Sequence, residues 1–180
     1  DYFDIYSCFP SAVAIACDEL GLDRRDPRGL TVTGGLPFFG GPGNNYSMHA
    51  IASMVQQLRK EPTACGLVTS NGGYLTKHAS GIYSCEPYCE SWQRPDLHSL
   101  QLEVDALNYP RFTERPSGQA VVEAYTIGFD NGEPNRAIII GRLLATDERF
   151  LANSEANPVL LQKFVTHDQV GRLGSVRAAE

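Results

Sequence analysis

Three side chains in the first half of the sequence could do chemistry together: a thiol, an imidazole and a carboxamide. Cys8 lies where a predicted strand turns into a helix, so its thiol could face a cleft; the alternative is a small buried cysteine. His78 follows an Asn-Gly-Gly turn and could act as a base, or could be an exposed loop histidine. Asn71 could hydrogen-bond a ligand or a water beside the backbone of Gly72 and Gly73, although Asn-Gly-Gly is also an ordinary turn sequence. The candidate catalytic residues are therefore Cys8, Asn71 and His78, and the candidate binding residues are Gly72 and Gly73.

A glycine-rich loop, residues 33–45, contains five glycines and two prolines in thirteen residues. Such a loop lets a ligand or another segment approach the backbone closely. Its spacing matches neither the P-loop nor the dinucleotide-binding fingerprint, so close packing against neighbouring helices is the favoured role. His49 follows the loop and could replace a missing base, or could make a polar contact at the start of a helix.

The elements that must position these residues alternate between strand and helix as far as residue 87. Apolar spacing and breaker residues predict strands at 2–6, 30–33, 65–69 and 80–85, and helices at 11–22 and 47–60. Asn44 or Asn45 is expected to cap the second helix, and Cys65 is expected to be buried in its strand. This order predicts an α/β fold.

The sequence beyond residue 87 is richer in strands. Residues 88–117 are predicted to be a linker, containing Trp92, with a helix at 96–107 capped by Asp96. Strands are predicted at 119–129, 136–144, 149–152 and 169–177, with a helix at 158–165 and an Asn-Gly hairpin turn at 131–132. This pattern is typical of a small closed or half-closed antiparallel β-barrel at 118–180.

Composition excludes several classes of function. The net charge of −6 argues against nucleic acid as a partner, and no segment has the roughly 20 apolar residues of a membrane span. The five cysteines are irregularly spaced, and Cys85-x-x-x-Cys89 lacks a second ligand pair, so we expect no metal site. Reduced thiols and the absence of a signal peptide predict a cytoplasmic protein.

Three stretches in residues 1–87 together resemble the C-terminal half of the thiolase superfamily. Residues 4–9 are similar to the His-Asp-Cys-Phe turn of its sterol-carrier-protein-type branch, often named acetyl-CoA acetyltransferase. Residues 34–37 match the Gly-Gly-His-Pro loop of that branch, with Leu36 in place of the histidine. Residues 68–73 occupy the late Gly-Gly turn, where many thiolases place a catalytic cysteine. The longer sequences that contain these motifs resemble a narrower group of thiolase-like proteins, which have a small β-barrel after the thiolase fold.

The resemblance implies a coenzyme A thioester as substrate, with no other cofactor. In the family, a cysteine thiolate takes the acyl group, a histidine helps to form the thiolate, and a second cysteine moves a proton. Here the family histidine is Leu36, and no cysteine lies at 69–71. The resemblance places the nucleophile in an N-terminal half that the sequence does not contain.

Two functions are therefore expected, and both involve acyl-CoA. The first is an acyltransferase that handles acyl-CoA thioesters with degenerate catalytic machinery. The second is a catalytically silent thiolase-like protein that binds acyl-CoA or a protein partner. The resemblance also implies exposed apolar surface on residues 1–87, so we expect a protein partner, an oligomer or aggregation.

Overall fold

The first unit, Asp1–Arg94, is built on a three-stranded sheet in the computed structural model, which describes residues 1–87 and 93–178. Strand β1 (Tyr2–Asp4) pairs in parallel with β2 (Cys65–Gly72), and β2 pairs antiparallel with β3 (Lys77–Ser84). Three helices lie between β1 and β2: α1 (Pro10–Leu20), the single turn α2 (Leu36–Phe39) and α3 (Tyr46–Leu58). The mixed order of strands and helices confirms the predicted α/β class for this part of the chain.

The core of this unit forms where α3 packs on the sheet. Helix α3 buries Ala50, Met54 and Leu58 against Val68 of β2. Gly66 permits this approach, because a β-carbon at that position would overlap the Met54 side chain. The same spacing of apolar residues predicted the helix, and burial of that apolar side holds it on the sheet.

Three local predictions in the first unit are wrong, and a fourth is confirmed only in part. Residues 30–33 form no strand, because backbone groups there bind a side chain instead of a neighbouring strand. The Asn-Gly-Gly turn is also misplaced: Asn71 and Gly72 end β2, and the turn occupies residues 73–76. Cys65 is exposed at the start of β2 rather than buried. Asn45 occupies the N-cap position of α3 as predicted, but it follows a 3₁₀ turn (Gly43–Asn45), has helical backbone angles and makes no capping hydrogen bond with its side chain.

The second unit, Pro95–Glu180, is an antiparallel sheet with two helices. Its strands are β4 (Gly118–Asp130), β5 (Glu133–Leu143), β6 (Arg149–Asn153) and β7 (Leu173–Val176), in the spatial order β6-β5-β4-β7. The predicted β4–β5 hairpin is confirmed: Asn131 and Gly132 have φ angles of 48° and 87°, as a type I′ turn requires.

Of the two predicted forms of the β-barrel, closed and half-closed, the structure has the half-closed one. Within the described residues, β6 and β7 are the two edges of a curled four-stranded sheet, and no pairing joins them. The last strand is also shorter than predicted: residues 173–176 pair with β4 in regular register, and Gly171 and Arg172 add two backbone hydrogen bonds to Val122. Closure requires both edge strands to meet, and a four-stranded sheet with a short edge does not achieve this.

Helix α5 (Pro158–Thr166) buries Leu161 and Phe164 against Ala137 of β5. Helix α4 (Leu97–Asp105) is capped by Asp96 as predicted, through a hydrogen bond from the backbone N–H of His98, but it buries none of its side chains.

The predictions that concern Cys89 and Trp92 lie outside the described residues. No helix in the described part of the chain is long and apolar enough to cross a membrane.

Candidate functional site

A buried polar cluster joins β1, the glycine-rich loop and α3. The Asp4 carboxylate is fully buried and accepts hydrogen bonds from the Tyr46 hydroxyl at 2.9 Å and from the Thr33 hydroxyl at 2.9 Å. It also accepts from the backbone N–H groups of Val32 and Thr33, both at 3.0 Å. One carboxylate therefore holds the start of the loop and the start of α3 in place.

Burial raises the pKa of Tyr46 to about 12, and the adjacent Asp4 charge adds to this rise. The hydroxyl consequently stays protonated and can donate to Asp4 at every physiological pH. Sequence reasoning missed this cluster. The signal was an acidic residue at an inward-facing position of an apolar strand, since a buried carboxylate needs partners.

The glycine-rich loop is fixed against the turn that follows β1. The Ser7 hydroxyl accepts a hydrogen bond from the backbone N–H of Leu36 at 2.9 Å. Gly35 has a φ of 80°, and a β-carbon on it would lie 2.8 Å from Ser7 Oγ. The loop therefore needs glycine at position 35 both for its backbone conformation and for the close approach of Ser7.

Leu36, at the start of α2, is partly buried and packs against the core cluster that contains Tyr46. Its side chain carries no group that can move a proton or donate a hydrogen bond. The loop thus keeps the glycines and the backbone hydrogen bonds that shape it, but the side chain at position 36 is a hydrocarbon.

The structure joins Cys8 to Asn71 by a hydrogen bond and places His78 opposite Asn71 across two strands. The Cys8 thiol donates to the Asn71 carboxamide oxygen at 3.2 Å. Asn71 and His78 are directly opposite each other in the β2–β3 hairpin, so their side chains share a face. Cys8 and Asn71 are partly buried, whereas His78 is exposed. Their catalytic roles stay predictions.

The His78 ring contacts the β2–β3 turn, since its Nε2 atom lies 2.9 Å from the backbone oxygen of Leu75. A carbonyl can only accept, so a neutral His78 that binds Leu75 donates from Nε2 and keeps Nδ1 as its basic nitrogen. An imidazole held in this way can take a proton at Nδ1.

Asn71 and His78 both line a cleft of about 350 Å³ between α1 and the β2–β3 hairpin. Its walls are mainly apolar and include Ala12, Ile15 and Leu75. Pockets that hold small molecules usually combine such walls with a few polar groups. Leu36 is not part of this cleft, so the altered loop position and the polar pair lie in separate places.

The two candidate binding glycines serve the hairpin turn. The Gly72 carbonyl accepts from the backbone N–H of Thr76 at 3.3 Å. Gly73 has a φ of 62°, and a β-carbon on it would lie 2.5 Å from the Thr76 hydroxyl. Gly73 is therefore required by the turn, and ligand binding by either residue stays a prediction.

Among the described residues of the first unit, His78 is the one histidine that lines the cleft, and no cysteine lines it. Burial raises the pKa of Cys17, which makes its thiolate unfavourable. His49 packs against Phe39 with ring centroids 5.1 Å apart, and its buried Nδ1 has no hydrogen-bond partner among the described residues. Within residues 1–87 and 93–178, no three metal-binding side chains lie close enough to hold an ion.

Comparison with known proteins relates both units to one family. Residues 99–180 match the family model for the additional C-terminal domain of thiolase-like protein type 1. The chain is also similar to the crystal structure of a monomeric SCP2-thiolase-like protein type 1 from Mycobacterium smegmatis, at 44% sequence identity and a TM-score of 0.87. That alignment covers 99% of this chain and 38% of the M. smegmatis chain. Among curated protein sequences, no significant match was found.

Proposed function

Since this chain belongs to the thiolase-like protein family, we propose that it contributes to a protein that binds acyl-CoA thioesters without catalysing thiolysis. The observation that carries this proposal is Leu36. The Gly-Gly-x-Pro loop keeps its shape through Ser7 and Gly35, yet its third position is a leucine that packs into the core. A leucine cannot lower the energetic cost of forming a thiolate, which is the task that the resemblance gives to this position.

The cleft beside α1 supports retention of thioester binding. Its apolar walls suit an acyl chain or the pantetheine arm, and the Asn71 amide can donate a hydrogen bond to a thioester oxygen. The free thiols of Cys8, Cys17, Cys65 and Cys85 support a cytoplasmic location for the protein.

The test uses the protein at its full natural length, because the chain spans 38% of its M. smegmatis relative. Calorimetric titration with acetoacetyl-CoA is expected to show saturable binding, while a thiolysis assay with the same thioester and free coenzyme A shows no turnover. Asn71→Ala is expected to weaken binding about fivefold to tenfold, as loss of one hydrogen bond predicts. The control Asn108→Ala, at an exposed residue of the second unit, should bind as wild type.

Two results would overturn this proposal. Absence of any binding of acetoacetyl-CoA or coenzyme A would remove the thioester ligand. Thiolysis at ordinary enzyme rates would show that the protein is not silent.

An active acyltransferase is the second candidate, and the Cys8–Asn71–His78 cluster favours it. In that case Cys8 would be held by Asn71 while Nδ1 of His78 accepts a proton. The variants Cys8→Ser and His78→Ala would then each reduce the turnover of acetoacetyl-CoA by at least about a hundredfold. Unchanged turnover in both variants would show that other residues perform the reaction.

A further inference from the structure

The second unit contains a cavity of about 610 Å³ on one face of its sheet, which no role described above uses. Residues of β5 and β6 line it. Gly141 is opposite Phe150, and Ala152 is opposite Ile139, so all four side-chain positions share this face. A cavity of this volume is within the range of small-molecule sites in proteins.

The floor of the cavity is apolar and well ordered by packing. Phe150 is 3% exposed, and its ring covers Gly141, where a β-carbon would lie 2.5 Å from the ring. Val122 and Leu160 complete the floor together with Phe164. Such a surface favours a hydrocarbon over a polar ligand, because water gains little from contact with it.

The rim of the cavity carries an excess of positive charge. Arg172 and Arg177 line it, and neither forms an ion pair or a side-chain hydrogen bond within the described residues. Two other arginines of this unit, Arg142 and Arg149, are both bound to Glu123. Among the residues that the structure describes, Glu155 is the one acidic residue that lines the cavity. In a protein with a net charge of −6, this local excess favours an anion.

We propose that this cavity binds a medium-chain fatty acid. The hydrocarbon chain lies on the floor formed by Phe150 and Ile139, and the carboxylate is bound by Arg172 and Arg177. A guanidinium group can bind a carboxylate through two parallel hydrogen bonds, which gives both charge and directional selectivity. The proposal concerns the second unit and does not depend on thioester binding in the first.

The experiment compares decanoate with methyl decanoate by calorimetric titration of the full chain. The two probes share a hydrocarbon chain and differ in charge, so only the carboxylate can form an ion pair and two parallel hydrogen bonds with an arginine. Decanoate is expected to bind saturably and about tenfold more tightly than the ester. The double variant Arg172→Gln/Arg177→Gln should bind decanoate only as well as the ester binds wild type. The control Arg136→Gln, at an exposed arginine outside the cavity, should leave the affinity unchanged.

A second measurement locates the site. Addition of decanoate is expected to shift the backbone amide resonances of Gly141 and Ala152, whereas Gly72 in the first unit stays unchanged. No saturable binding of decanoate would overturn the proposal, as would equal affinities for acid and ester. Shifts confined to the first unit would place the ligand elsewhere and would also contradict it.

Discussion

Among the side chains that the structure describes, Asp4 has the most hydrogen-bond partners that are distant in sequence. It contacts Tyr46, which is 42 positions away, and the backbone at Val32 and Thr33. A buried carboxylate without such partners would be strongly unfavourable. The cluster therefore couples folding of the loop to folding of α3.

Tyr46→Phe tests this cluster. The variant keeps the ring but removes the donor to Asp4, so the free energy of unfolding should fall by about 1–3 kcal/mol. Chemical denaturation at pH 7 measures the loss. Tyr74→Phe, at a residue that is 88% exposed, is the control and should have the stability of the wild type.

The pH dependence of the same pair gives a second test. The folded-state pKa of Tyr46 is about 12, whereas an unfolded tyrosine titrates near 10. The unfolded state therefore loses its proton first, and the stabilisation from neutral Tyr46 is lost as pH rises from 10 to 12. The difference in stability between wild type and Tyr46→Phe should shrink over this interval. A constant difference would contradict the raised pKa.

At the scale of structural elements, the glycine-rich loop contains glycines that are needed for different reasons. Gly35 has φ 80° and ψ 175°, and Gly40 has φ 90° and ψ 167°, so both occupy a region essentially restricted to glycine. Only Gly35 has a close neighbour, Ser7 Oγ, whereas a β-carbon on Gly40 would meet nothing within 4 Å. Substitutions at these two glycines therefore distinguish the cost of backbone strain from the cost of steric overlap.

Gly35→Ala should therefore destabilise the protein more than Gly40→Ala. Backbone strain costs about 1–3 kcal/mol in each variant, and overlap with Ser7 adds to this only at position 35. Thermal and chemical denaturation of the two variants measures the difference. Equal losses would show that Ser7 moves aside freely and does not hold the loop.

The β4–β5–β6 sheet carries an ion-pair cluster on strands that are adjacent in space. Glu123 accepts from Arg149 Nε at 2.6 Å and from Arg142 Nε at 2.9 Å, and the bond from Arg149 is the main cause of its lowered pKa. A carboxyl group whose folded-state pKa is lowered stabilises the protein above its unfolded pKa. That stability is lost as pH falls through the folded-state pKa.

Glu123→Gln should reduce the free energy of unfolding at pH 7 by at most about 1 kcal/mol, because the arginines are partly exposed to solvent. The loss should disappear at low pH, where the wild-type carboxyl group is also neutral. Denaturation curves at both pH values measure it, with Glu103→Gln on the exposed surface of α4 as the control. A loss that is independent of pH would exclude the ion pairs as its cause.

For the molecule as a whole, both units expose large apolar side chains, and those of the first unit include residues in and next to the glycine-rich loop and in the β2–β3 turn. Phe38 is 83% exposed, Met48 66% and Tyr74 88%. Exposed apolar patches of this kind mark interaction surfaces. This observation supports the expectation of a protein partner or an oligomer.

The 180-residue chain alone should therefore self-associate. Sedimentation velocity over a range of protein concentrations is expected to show species larger than a monomer. Phe38→Ser combined with Tyr74→Ser should reduce association, while Val159→Ser, at a residue that is 69% exposed in the second unit, should not. A single monomeric species at all concentrations, with a cooperative thermal transition, would contradict this prediction.

Local sequence was enough to predict α1, α3, α4, α5 and the β4–β5 hairpin, though not the single turn α2, and the family resemblance identified the chemical deficit at Leu36. These features depend on periodicity, on capping residues such as Asp96, and on turn pairs such as Asn131-Gly132. Each involves neighbours within a few positions, so one segment contains the whole signal. The family motifs were recognisable for the same reason.

Contacts between distant segments could not be read in this way. Residues 30–33 look like a strand, but the Asp4 side chain takes two of their N–H groups. Cys8 meets Asn71 across 63 positions, and the cavity floor depends on the register of β5 with β6. The type of each element follows from local patterns of residues. Which side chains meet is decided by strand register and packing, because those depend on the free energy of the whole fold.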